Sequence, residues 1–319
     1  MKRVVLYNPS ITTFNVGDEI IFDGVYQNIY PLLQDSFVVN VSTHLPVSSV
    51  FTDILTDADL KFVCGTNLLR NMLERRFRQW DINIFNAKKL GPCVLVGVGW
   101  QQDRMPFTPY TKKLYKSILS KEFIHSVRDE YTKKKLQSIG FDNVINTGCP
   151  TMWGLTKEHC HNIPTAKANK VVFTLTDYRK DSINDKRIVD SLCKMYDEVY
   201  LWLQGMGDYE YAKSLGILER VKIVSPSLIA YDELLDDENI EYIGTRLHGG
   251  IRALQHGRRT MIIAVDGRAW EKKKDFNLPV VLRNELSTTT LENLIVQERT
   301  TDIVIPTDNI QAWKKQFKL

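Results

Sequence analysis

Glu241-Tyr242-Ile243-Gly244-Thr245-Arg246-Leu247-His248-Gly249-Gly250-Ile251-Arg252-Ala253-Leu254, followed by Met261-Ile262-Ile263-Ala264, is the segment from which the rest of the architecture can be read. A short apolar strand ends at Gly244. A turn then carries Thr245, Arg246 and His248 into a helix with Ile251 and Leu254 on its inner side, and a second apolar strand follows. Unpaired amides and the positive end of a helix dipole favour an anion at such a turn, and an arginine fork adds bidentate recognition of phosphate or carboxylate. Arg252, Arg258, Arg259 and Arg268 are expected to raise the local positive charge. The same turn also fits a plainer reading, in which the arginine pairs with a carboxylate and the histidine caps its own helix.

Working outward, strands are expected at Val171 to Leu175, Val199 to Leu203, Val221 to Val224, Ile240 to Ile243 and Met261 to Val265. Helices are expected near Asn184 to Met195, Tyr209 to Leu215, Ser227 to Leu235 and Gly249 to Gln255. The first half alternates in the same way. Apolar runs at Val4 to Tyr7, Phe37 to Val41, Leu60 to Cys64, Val94 to Val98, Phe123 to Val127 and Val144 to Ile145 are separated by helical patterns at Glu19 to Tyr30, Asn67 to Phe77, Tyr110 to Leu119 and Asp129 to Ile139. This alternation implies parallel sheets covered by helices on both faces. Polar, aperiodic Thr156 to Lys170 reads as a connection, so the expectation is two Rossmann-like domains, 1–160 and 168–308, with parallel sheets facing a central cleft. Residues 309–319 read as a terminal helix that could return to the first domain.

A chain of 319 residues suits two domains. Its 43% hydrophobic and 25% charged residues are those of an ordinary globular protein, and a net charge of +4 is too small to argue for nucleic acid. Five scattered cysteines without a Cys-x-x-Cys pair suggest reduced thiols. No apolar run approaches a membrane span or a signal peptide. A cytoplasmic protein is expected, with room for contact at the inner face of a membrane.

Asn15-Val16-Gly17-Asp18 puts a glycine and a carboxylate where the first helix begins, and Asp18 alone could be an N-cap. Ser126-Val127-Arg128-Asp129 follows a strand and opens another helix, where an Arg-Asp pair could simply tie strand to helix. Gly97-Val98-Gly99 and Gly205-Met206-Gly207 are halves of a dinucleotide fingerprint and read as tight turns. His159-Cys160-His161 lacks a partner pair, so no metal site is expected. There is no nucleophile elbow and no phosphate-binding Walker loop.

The string Arg-Leu-His-Gly-Gly-Ile-Arg-Ala-Leu, set between an Ile-Gly strand end and a strand ending in Val265-Asp266, resembles the signature of the polysaccharide pyruvyl transferase family. The Asn-x-Gly-Asp turn at Asn15 to Asp18 and the Val-Arg-Asp string at Val127 to Asp129 are similar to that family too. The resemblance implies a fold like the B-type glycosyltransferases, with the acceptor on the N-terminal side and phosphoenolpyruvate on the C-terminal side. It implies transfer from phosphoenolpyruvate, as donor substrate with no further cofactor, of a pyruvate ketal onto two hydroxyls of a sugar. The acceptor belongs to a surface polysaccharide or its precursor and could be lipid- or nucleotide-linked. On this reading Arg246, with the amides up to Gly249 and Gly250, binds the donor, and Arg128 or Arg268 supplies a second cation. His248 is the acid. Asp18 is the weaker candidate for base on the acceptor, and Asn15 and Gly17 of the same turn are expected to bind substrate. Cys64-Gly65-Thr66-Asn67 and Cys149-Pro150-Thr151-Met152 depart from the family's usual strings, which leaves the acceptor's identity open. A nucleotide-sugar glycosyltransferase of the same architecture, or a non-catalytic sugar-phosphate binding protein, are the alternatives.

Overall fold

A computed structural model describes residues 1–74, 78–101 and 105–319, with the side chain of Arg268 outside that description. The chain divides into two compact units. The first comprises Met1–Thr13, Ile21–Trp153 and Pro306–Leu319, and the second Phe14–Ile20 and Gly154–Ile305. The turn that opens the first helix is therefore counted with the second unit, on the strength of its contacts there.

The first unit holds β1 (Lys2–Asn8), most of α1 (Val16–Leu33), β2 (Ser36–Ser42), α2 (Ser49–Thr56), β3 (Leu60–Cys64), α3 (Ala87–Leu90), β4 (Val94–Val96), α4 (Pro109–Ile118), β5 (His125–Val127), α5 (Glu130–Gln137) and β6 (Val144–Asn146). Its sheet has the order β2-β1-β3-β4, all parallel, with β5 and β6 paired beside a bridge between Val98 and Val127. In β1, Val4 to Asn8 are all buried, which is why it reads as a continuous apolar run rather than an alternating one.

The second unit holds α6 (Lys157–His161), β7 (Lys170–Phe173), α7 (Ser182–Met195), β8 (Glu198–Trp202), α8 (Asp208–Ser214), β9 (Lys222–Val224), α9 (Leu228–Leu235), β10 (Ile240–Gly244), α10 (Leu247–Gln255), β11 (Thr260–Ala264), α11 (Gly267–Phe276), β12 (Val280–Leu282) and α12 (Thr288–Val296). Its six strands are parallel, in the order β12-β11-β10-β7-β8-β9. After β9 the chain crosses back to lay β10 on the other side of β7. The direction of winding reverses between β7 and β10. The last helix, α13 (Thr307–Lys315), belongs to the first unit, where the fully buried Trp313 packs edge-on against Phe62, Trp153 and Phe317.

Three expectations need correction. Among the described residues Asn67 to Glu74 are not helical: Leu69 runs extended, donating to Gly99 O (3.1 Å) and accepting from Gln101 N (2.7 Å). Residues 75–77 of that expected helix lie outside the described residues. The polar stretch after Thr156 contains the short helix α6, capped by the Thr156 hydroxyl, which accepts from His159 N. Finally β12, α11 and α12 add a strand and two helices that the apolar pattern does not reveal. Among the described residues no helix is long and apolar enough to cross a membrane.

Candidate functional site

Ligands of open parallel sheets bind beyond the carboxyl ends of the strands, at the point where the winding reverses. In the second unit that point lies at the ends of β7 and β10, where Thr174 to Asp177 meet Thr245 and Arg246. A web of bonds fixes the junction. Thr245 N donates to Thr174 O (3.1 Å), Arg246 N to Thr174 Oγ1 (3.1 Å), and the Tyr242 hydroxyl to Arg246 O (2.7 Å). Burial pushes the Tyr242 phenol up, so it stays a neutral donor.

Helix α10 then starts at Leu247. Gly250 is required there by close packing. A Cβ on it would come within 2.5 Å of Ile262 Cγ1 and 3.0 Å of Tyr242 Cε1, so a bare Cα lets the helix lie on β10 and β11. The Gly250 amide donates to Arg246 O (3.2 Å) and so is not available to a ligand, contrary to expectation. Helix geometry leaves the amides of Leu247, His248 and Gly249 without acceptors inside the helix. His248, the second residue of α10, is half-buried at this same end.

Arg246 is only 4% exposed, and two of its three guanidinium nitrogens are engaged. Nε donates to Leu175 O (2.8 Å), and one terminal nitrogen serves both Asp177 Oδ1 (2.8 Å) and Asp208 Oδ1. Tyr178 covers the guanidinium, its ring centre 5.0 Å away. Asp208 is completely buried. Burial raises its pKa against the opposing pull of Arg246, whose own pKa is raised because Asp208, Tyr178 and Asp177 together outweigh its desolvation. Here the plainer reading of the turn holds for the arginine: it pairs with protein carboxylates. Two carboxylates around one guanidinium do not invite a doubly negative ligand.

Among the described residues, three of the arginines expected to raise the local positive charge are engaged elsewhere. Arg252 makes a two-pronged pair with Asp232 (2.7 Å on both prongs), Arg259 pairs with the buried Glu241, and Arg258 donates to Leu235 O. Arg258 and Arg259 follow α10 and precede β11, which puts them toward the amino ends of the strands.

The Asn15 to Asp18 turn sits beside the end of β8. Asn15 bridges Gly205, Val16 N donates to Gln204 O (2.9 Å), and Met206 N donates to Phe14 O (3.1 Å). Asn15 Oδ1 accepts from Gly17 N (3.2 Å) and from Gln204 Nε2 (3.0 Å), while Asn15 Nδ2 donates to Asp18 Oδ2 (3.3 Å). Asn15, not Asp18, therefore takes the capping position, and Asp18 stands in the first turn of α1 with Glu19. Glu19 is pushed up by burial and then by the charge of Asp18. A Cβ on Gly17 would come within 2.5 Å of Gln204 Nε2, so only glycine lets the turn approach this closely.

The other expected cation, Arg128, belongs to the first unit. It is buried against Gly99, where a Cβ would collide with its guanidinium, and it lies 3.5 Å from Asp129. Asp129 is the N-cap of α5, accepting from Thr132 N (2.8 Å). The Arg268 side chain lies outside the described residues. His159 Nε2 approaches Leu254 O (2.7 Å), and the described residues contain no cluster suited to a metal ion. A groove along α7, lined by Ser182, Lys186, Asp190 and Lys194 among others, includes none of the expected site residues.

Sequence reasoning missed Asp177, Gln204 and Asp208. Its one usable signal was position, since each follows closely on the end of β7 or β8.

Solved structures with this fold include a UDP-GlcNAc 2-epimerase of Methanocaldococcus jannaschii in complex with UDP-GlcNAc and UDP (9% identity, 98% of this chain and 97% of that one, TM-score 0.53). They also include S. aureus MnaA with UDP (10% identity, 92% and 87%, TM-score 0.51) and a further UDP-N-acetylglucosamine 2-epimerase (10% identity, 99% and 90%, TM-score 0.51). At such identities the likeness carries the fold alone, the two-domain Rossmann-like fold of B-type glycosyltransferases. No curated protein sequence matches the chain. The sequence pattern of the polysaccharide pyruvyl transferases matches residues 15–267, a span that takes in the Asn15 to Asp18 turn, the Val-Arg-Asp string and all of α10, and the chain belongs to the polysaccharide pyruvyl transferase family.

Proposed function

We propose that this transferase takes phosphoenolpyruvate as donor and builds a pyruvate ketal on a sugar of a surface polysaccharide or its precursor, at the carboxyl ends of β7, β8 and β10. What supports this most is that the two candidate proton carriers, Asp18 and His248, belong to one compact unit and flank the reversal point of its sheet. The donor's anionic groups fit the amino end of α10, at the amides of Leu247 and Gly249, better than Arg246, whose Nε and one terminal nitrogen already serve protein oxygens. Arg246 then acts as a truss for the β10–α10 turn.

The chemistry needs one proton delivered and others removed. His248 gives a proton to the donor's methylene carbon, which becomes a methyl group and leaves an oxocarbenium-like centre beside it. A sugar hydroxyl adds to that centre and surrenders its proton to Asp18. The carbon–oxygen bond to phosphate breaks, phosphate departs with its electron pair and takes up the proton held by Asp18, and the second hydroxyl closes the ketal by passing its own proton to the imidazole that His248 was left with.

A thermal-shift panel tests the donor. At 100 times its dissociation constant a ligand stabilises the native state by about 2.7 kcal/mol. Phosphoenolpyruvate should raise the midpoint where UDP-GlcNAc does not. The reverse result would move the protein to nucleotide-sugar transfer. Binding of phosphoenolpyruvate with no phosphate release across a panel of sugar acceptors would favour a non-catalytic binding protein.

A further inference from the structure

Gln204 is 4% exposed and its amide is divided in use. Asn15 Oδ1 accepts from the backbone amide of Gly17, so the orientation of the Asn15 side chain is fixed. The Gln204 atom facing that oxygen must then be a donor, Nε2. Oε1 is left as a buried acceptor with no partner among the described residues. It points toward the first turn of α10, 3.2 Å from where a Cβ of Gly249 would stand. Buried acceptors without partners are rare because they are costly. A methionine of the same length would fill this space without that cost.

We infer that Gln204 is a positioning residue for the transfer reaction, which sets Asp18 through Asn15 from a place beside the first turn of α10. The inference rests on the donor site proposed above. One side chain spans both: its Nε2 holds Asn15, whose Nδ2 holds Asp18 Oδ2, and its Oε1 lies against Gly249, next in the chain to His248. Trp202, stacked flat on Tyr231 at 3.8 Å, backs the same glycine. Through Asn15, Gln204 fixes where the proton acceptor stands.

Gln204→Met keeps the packing and removes both amide atoms, and Gln204→Ala serves as the larger deletion. Phosphate release from phosphoenolpyruvate, with a panel of nitrophenyl hexosides as acceptors, should show kcat falling about tenfold or more in Gln204→Met. KM for phosphoenolpyruvate should stay within about twofold, with Tm near that of the wild type. Amide exchange at Gly17 should quicken about tenfold in the same variant, because its acceptor Asn15 Oδ1 is no longer held. Gln204→Met with wild-type kcat, or with a loss of activity that only follows a fallen Tm, overturns the positioning role. A wild-type protein that never releases phosphate from phosphoenolpyruvate defeats the functional reading instead. In that event exchange at Gly17 still decides whether Gln204 holds the turn.

Discussion

Two arginines stand at corresponding places, one in each unit. Arg128 follows β5 and Arg246 follows β10, each leads into a helix, and each is 4% exposed. Their settings differ. Helix α5 is capped by its own Asp129, and Arg128 lies on the bare Cα of Gly99 with that neighbour's carboxylate 3.5 Å away. Arg246 is gripped by carboxylates from the segment after β7 and the start of α8, Asp177 and Asp208, and by Leu175 O. Identical local sequence logic has thus given a strand-to-helix tie in one unit and a truss across three strand ends in the other. On the function proposed above, the attraction for an anion in the C-terminal unit lies with the backbone of α10 and not with the guanidinium.

The widest expected separation between the two is in stability. Arg246→Met strands the fully buried Asp208 without a counter-charge and should cost about 3–5 kcal/mol. Arg128→Met should cost less, about 1–3 kcal/mol, since Asp129 keeps the amide and hydroxyl of Thr132. Urea denaturation of both variants checks this, and equal losses would remove the distinction.

The first unit should also carry an acid sensitivity of its own. His125 is buried, with Nδ1 accepting from Leu95 N (3.2 Å) and Nε2 facing Ser120 O (2.9 Å), so it is neutral with its proton on Nε2. Burial lowers its pKa to about 4. The unfolded chain takes up the proton near pH 6.5 and the folded one only near 4. The folded state is therefore fully favoured above 6.5 and loses about 3 kcal/mol as pH falls through that window. Urea midpoints at pH 7 and pH 5 should separate in the wild type and separate less in His125→Gln.

Gly250→Ala should cost about 1–3 kcal/mol, because the new methyl meets Ile262 at 2.5 Å in a packed interior. A neutral result would mean that α10 can slide on its sheet. The smallest expected effect is the most specific to function. Asp177→Asn withdraws one of the two charges held by Arg246, and phosphoenolpyruvate should bind about tenfold tighter, or about 1.4 kcal/mol. Weaker binding by calorimetry would make Asp177 part of the donor site instead of a charge that opposes it.

Sequence legibility followed the physics of burial. Strands buried on both faces, such as Leu60–Cys64 and Thr260–Ala264, announce themselves as apolar runs. Val280–Leu282 is three residues long, and α11 carries Glu271-Lys272-Lys273-Lys274-Asp275, so neither shows a clear period. Asn67 to Glu74 has helical composition, yet Leu69 gives its backbone to Gly99 and Gln101. At the candidate site the turn of α10 was legible because glycine, arginine and histidine are distinctive together. The occupancy of Arg246 was not, because Asp177 and Asp208 lie 69 and 38 residues away and meet it only through the sheet order. Gln204 escaped notice for the same reason.

A crystal structure of the protein soaked with phosphoenolpyruvate tests the central claim most directly. The account requires the donor over the first turn of α10, within hydrogen-bonding reach of the Leu247 to Gly249 amides and beside His248. Ordered donor bound elsewhere, for example on the first unit around Arg128, would contradict it.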